Sequence, residues 1–137
     1  MKIVETIETL NISKEELRKL EEQEKLQAKY NSCKNYIYHH YPQEKQASDI
    51  ADKVYYETLL RAKGINNLEQ DIVNRTTEFY NGKSLEEVIA DVADEDKVAY
   101  EQLLKVAIRA KFVQDCKLEL KKAIDENKEP EYPKYPL

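Results

Sequence analysis

Up to Glu129 the chain contains one proline, Pro42, and two glycines, Gly64 and Gly82. Few residues can take positive φ, so tight hairpin turns are scarce and a hairpin-rich β protein is disfavoured. Between these breaks the apolar residues recur at steps of three and four, the helical period. Glu, Lys, Leu and Ala are abundant, and each favours helix. The charged fraction of 36% over 137 residues also fits disorder. Disorder does not call for periodic apolar positions, and this chain has them. The expected fold is all-α: a four- or five-helix bundle with long first and last helices and a non-helical, Pro-rich C-terminal tail. Three parts are expected: an arm over residues 1–12, a helical domain over 13–127 and an extended tail over 128–137.

The arm carries Ile3, Val4, Ile7, Leu10 and Ile12, a spacing that suits a short helix, a strand or an arm lying on a neighbour. Ser13 and Glu16 then form a capping-box pattern, with Ile12 and Leu17 as a hydrophobic staple. Helix one should reach Tyr41, with a stripe of Leu17, Leu20, Leu26, Tyr30, Cys33 and Ile37. The EEQEK run at 21–25 leaves its middle turn exposed or facing a charged partner. Pro42 ends this helix and suits the first turn of the next. Helix two is expected to bury Ala47, Ile50, Ala51, Val54, Tyr55, Thr58, Leu59 and Ala62, and to close at Gly64. Asn67 with Gln70, and Ser84 with Glu87, repeat the capping pattern and open helices three and four. Helix five, about 95–127, carries Ala99, Leu103, Val106, Ala110, Val113, Leu120 and Ile124 on one stripe. A second stripe is Ile108, Phe112, Cys116 and Ala123. So broad an apolar surface marks it as the spine of the bundle.

Composition narrows function by exclusion. The net charge of −5 and pI near 5.2 disfavour a phosphate-backbone binder. No window is long and apolar enough to span a bilayer, and the first residues lack a secretion-signal layout. Cys33 and Cys116 do not make a disulfide framework, and are expected as reduced, buried thiols in a cytoplasmic protein. Cys33 and His40 share a helix face, and Cys116 can approach from helix five, but zinc needs four ligands in recognisable spacing. Gly-rich phosphate loops, Gly-x-Ser-x-Gly elbows and His-Glu-x-x-His motifs are missing. No enzyme activity, cofactor or metal is expected. The bases of helix five, Lys105, Arg109, Lys111, Lys117, Lys121 and Lys122, are read as a solvated face opposite the acids of helix one, Glu15, Glu16, Glu21, Glu22 and Glu24.

Two stretches have local character. Tyr36, Tyr38, His39, His40 and Tyr41 crowd the end of helix one, where tyrosine supplies apolar area and a hydroxyl. In the tail, Pro130, Pro133 and Pro136 recur every third residue beside Tyr132 and Tyr135, the polyproline II repeat. Such a segment docks in an aromatic groove, frays, or straps across its own domain. The candidate partner-binding residues are Tyr38, His40, Tyr41, Tyr132, Pro133, Tyr135 and Pro136.

Tyr41-Pro42, Gln46, the helical run 50–62, Gly64-Ile65, Leu68-Glu69, Ile72 and Phe79 resemble segments of phage and prophage tail proteins, tail-fibre or tail-associated. The resemblance covers residues 41–80 and lacks the tryptophan that often follows the glutamine. It implies a virion or assembly role and carries over no site residues. The expected function is therefore a non-catalytic protein–protein interaction or assembly protein, cytoplasmic or virion-associated. Its partners are proteins, a second copy among them. The alternatives are a small acidic inhibitor or regulator of a host or competitor protein, and a nucleic-acid-associated helical protein.

Overall fold

The structure, a computed structural model, describes residues 13–137. The chain enters α1 (Lys14–His40) through the expected capping box. The Ser13 hydroxyl accepts from the Glu16 amide at 3.2 Å, and the Glu16 carboxylate accepts from the Ser13 amide at 3.4 Å. Two donors that a helix start leaves unpaired are thereby satisfied. Ile12, the outer half of the expected staple, and the 1–12 arm lie outside the described residues. α1 stops before Pro42, which has no N–H to continue the ladder and disfavours helical backbone at Tyr41. The same proline stands at the N-cap of α2 (Gln43–Ala62). Gly64, at φ +85°, turns the chain out of α2 in a conformation that a side chain would strain.

α3 (Leu68–Tyr80) begins differently from expectation. Asn67 is left-handed, φ +56°, and its side chain caps nothing, while Gln70 donates to Asn74 at 2.9 Å. A capping box needs extended backbone at the N-cap residue. The short link from Gly64 requires a left-handed residue here instead, and asparagine tolerates that better than most. Ser84 and Glu87 do form their box, opening α4 (Leu85–Val88), a single turn. A 3₁₀ turn at Asp94–Asp96 leads into α5 (Lys97–Asp125). Five α-helices and that turn make up the regular structure among the described residues, and residues 129–137 are non-helical. None of these helices is long and apolar enough to cross a membrane.

α5 is the spine, and α1, α2 and α3 each pack on it. Its first half meets Leu60, Leu68, Val88 and Ile89 through Ala99, Tyr100, Leu103 and Leu104. Its second half meets Cys33 and Ile37 of α1 through Phe112, Cys116 and Leu120. The deeper stripe is Ile108, Phe112, Cys116 and Ala123, while Val106 and Val113 are half-buried and Ala110 is exposed. A straight helix drifts about 20° per heptad against a seven-residue repeat, so a spine covered by different neighbours at its two ends buries different rows at each.

Two further expectations are overturned. The α2 residues read as core face outward, with Ile50 at 69% and Val54 at 62% exposure, while Asp49 and Leu60 are buried. The acids of α1 form no ion pair with α5 among the described residues. Of the α5 bases, Lys105 and Lys111 pair locally with Glu101 and Asp115, and Arg109 pairs with Asp49 of α2. α1 buries nothing before Cys33; Leu26 and Tyr30 are exposed and line concavities that they share with Ile124 of α5.

Candidate functional site

Burying one charge is costly unless a geometric partner meets it. Asp49 on α2 is 1% exposed and Arg109 on α5 is 6% exposed. The guanidinium fork matches the carboxylate: Arg109 Nε donates to Oδ2 at 2.7 Å, and a terminal nitrogen donates to Oδ1 at 2.8 Å. The Tyr41 hydroxyl donates to Oδ2 at 2.5 Å, and Lys45 Nζ stands 3.3 Å from Oδ1. Arg109 also lies 5.8 Å from the centre of the Tyr41 ring, and Gln46 donates to the Tyr41 carbonyl at 3.0 Å. Burial alone raises the Asp49 carboxyl. The hydrogen bonds from Arg109 and Tyr41 outweigh it and hold the group below its ordinary range. The Tyr41 hydroxyl goes the other way, pushed well up by burial and by its bond to Asp49. Asp49 is thus an ionised, saturated acceptor and Tyr41 a fixed donor. The trio bolts the α1–α2 corner to the spine and turns α2 so that Asp49 faces in.

That rotation leaves the apolar side of α2 exposed. α2 and α3 pack on α5 rather than along each other, and they leave a furrow of about 620 Å³ between them. Val106, Ala107 and Ala110 of α5 form its floor. Ile50 and Val54 make one wall, and Val73, 52% exposed, belongs to the other. Lys53, Glu57 and Glu69 stand at the rim. An apolar floor of small side chains between two splayed helices admits a third helix at close range.

The residues singled out in the sequence gather on another side of α1. Tyr132 stacks on Tyr36 at 4.9 Å, and Tyr135 stacks on His40 at 5.7 Å and meets Phe112 edge-on at 5.1 Å. The Pro133 carbonyl accepts from the Tyr36 hydroxyl at 2.5 Å, and Pro136 is half-buried. The tail therefore straps across its own domain and covers the Cys33–Phe112 cluster. Tyr41 is committed to Asp49. Tyr38 accepts from Gln43 at 2.9 Å, with Lys34 over its ring. Cys33 and Cys116 adjoin as buried thiols, Cys33 Sγ lying 3.9 Å from the Cys116 carbonyl. Burial, the Cys33 thiol and Asp115 push the Cys116 thiol up to about 12. Among the described residues no group of three or more His, Cys, Asp or Glu side chains is placed to hold a metal ion.

Reading the sequence missed Asp49, and it placed Arg109 on a solvated face. One signal was present. Arg109, Phe112 and Cys116 follow one another at steps of three and four, so Arg109 occupies a position on the buried stripe. An arginine there requires an acid from another element.

Fold and site together define a helical domain whose buried charges are satisfied internally and whose apolar groove is open. Compared with family models, curated proteins and solved structures, the chain shows no match.

Proposed function

We propose that this chain is a non-catalytic protein–protein interaction domain that acts through the α2–α3 groove. The observation that carries this reading is the exposure of Ile50, Val54 and Val73 around one concavity. On α2 the groove runs from Gln46 to Glu57, about 17 Å at 1.5 Å per residue, enough for about three turns of a partner helix. The polar constellation does not compete as a reactive centre, because Asp49 is sealed and has its acceptor sites filled. A nucleic-acid stripe on α5 is disfavoured, since Arg109 is buried and Lys105 and Lys111 already have acidic neighbours. The resemblance to phage tail-associated segments supports an assembly setting, because residues 41–80 contain both walls of the groove.

The test is a photo-crosslinking residue placed at Val54 and, as a control, at Leu118, an exposed apolar position outside the groove. Adducts are expected at Val54, with loss when Ile50→Glu is added. No adduct at Val54, or the same adducts at both positions, overturns the reading.

A further inference from the structure

The groove accepts one amphipathic helix, and the chain itself carries a segment with matching spacing. Ile3, Ile7 and Leu10 fall at i, i+4 and i+7, the anchor pattern of a helix-in-groove ligand. They lie in the stretch that precedes Ser13. Distance decides which groove they reach. α1 has 27 residues and contains neither proline nor glycine, so it holds Ser13 about 40 Å from Tyr41, at 1.5 Å per residue. Tyr41 and Gln46 mark the near end of the groove. Residues 3–12 span at most about 35 Å fully extended, and less than half of that when the three anchors share one helical face. The segment therefore falls short of its own groove. A second copy presents its groove without this limit.

We infer that the groove binds residues 3–10 of a second copy of this chain, with Ile3, Ile7 and Leu10 laid over Val106, Ala107 and Ala110. This rests on reading the groove as an interaction surface. The small alanines of the floor admit the backbone of the incoming segment. Ile50 and Val54 flank it from one side and Val73 from the other. Reciprocal exchange closes a two-fold dimer in which each protomer both gives an arm and receives one.

The test uses full-length chains and native mass spectrometry or light scattering. The parent is expected to dimerise. Ile7→Glu, which spoils the arm, and Val54→Glu, which spoils the groove, should each weaken self-association at least tenfold. Mixed together they should form a one-to-one heterodimer, because the intact arm of one meets the intact groove of the other. Val73→Glu, on the opposite wall, should repeat the Val54→Glu result. Unchanged helical circular dichroism and a cooperative melting transition check that each variant folds, the transition itself moving down with the lost dimer. A dimer sensitive to Val54→Glu but not to Ile7→Glu overturns the arm as occupant, as does a mixture that stays monomeric. A monomeric parent whose melting temperature falls with Ile7→Glu places the arm on its own protomer and also overturns the inference. Should the parent be monomeric while the Val54 crosslink still captures a partner, the inference fails and the interaction reading stands; loss of both signals defeats both.

Discussion

Replacing Arg109 by methionine removes two charge-assisted hydrogen bonds from a carboxylate that is 1% exposed. Methionine keeps much of the apolar stem, so the loss is electrostatic. Asp49 then retains the Tyr41 hydroxyl and the more distant Lys45. Stranding one member of a buried pair costs about 3–5 kcal/mol. That is a large share of the roughly 5–15 kcal/mol by which a domain is stable. In urea, with a slope near 2 kcal/mol per molar, the midpoint should fall by about 2 M. The double variant Asp49→Asn/Arg109→Met removes the charge and leaves an amide oxygen for Tyr41. It should cost only about 1–2 kcal/mol, so it should be more stable than Arg109→Met alone.

Acid adds a sign to this test. In the parent the Asp49 carboxyl lies below its ordinary value of 3.8, so its contribution is present above that pH and is lost as pH falls toward the folded value. Without Arg109 the burial effect dominates and raises the carboxyl. Protonation then relieves the variant, and the gap to the parent should narrow as pH drops. Urea titrations followed at 222 nm from pH 7 to pH 3 measure both effects. A cost below about 1 kcal/mol for Arg109→Met, or a double variant less stable than the single, refutes the claim that this pair orients α2.

Other consequences are direct. Phe112→Ala empties the centre of the second cluster and should cost roughly 3–5 kcal/mol; a cost under about 1 kcal/mol would place the ring outside the core. Deleting residues 129–137 uncovers Phe112 and Cys33 and should cost about 2–3 kcal/mol, or roughly 8–12 °C of melting temperature. An unchanged melting curve would mean that the strap is not seated in solution. Both thiols should resist an aromatic disulfide reagent at pH 8 until the protein is unfolded. The Cys116 thiol is raised from 9.0 to about 12, so its contribution is intact below pH 9 and is lost as pH climbs from there toward 12. Prompt labelling of native protein, or a stability in Cys116→Ala as alkali-sensitive as in the parent, would contradict this burial.

Much of the local architecture was legible because its causes are local. A serine and a glutamate three residues apart close their own hydrogen bonds, as Ser13–Glu16 and Ser84–Glu87 do. A proline lacks its donor in any surroundings, so Pro42 divides α1 from α2. The Asn67 capping pattern failed where the turn it closes demanded left-handed backbone. The tail was legible as extended, but its resting place was not. Tyr132 and Tyr135 find Tyr36, His40 and Phe112 only once α1 and α5 are side by side.

By itself the sequence determined that the chain forms helices, where most of them start and stop, and that the last of them lies at the centre. Hydrophobic period and end chemistry act within a few residues, and they are written in order along the chain. Only the tertiary structure decided which side of α2 turns inward. The period names an apolar face and says nothing of what lies opposite, whereas Asp49 meets its partner sixty residues away. Once that carboxylate is buried against Arg109, the rigid helix must carry Ile50 and Val54 outward, and a face patterned for a core becomes the wall of a groove.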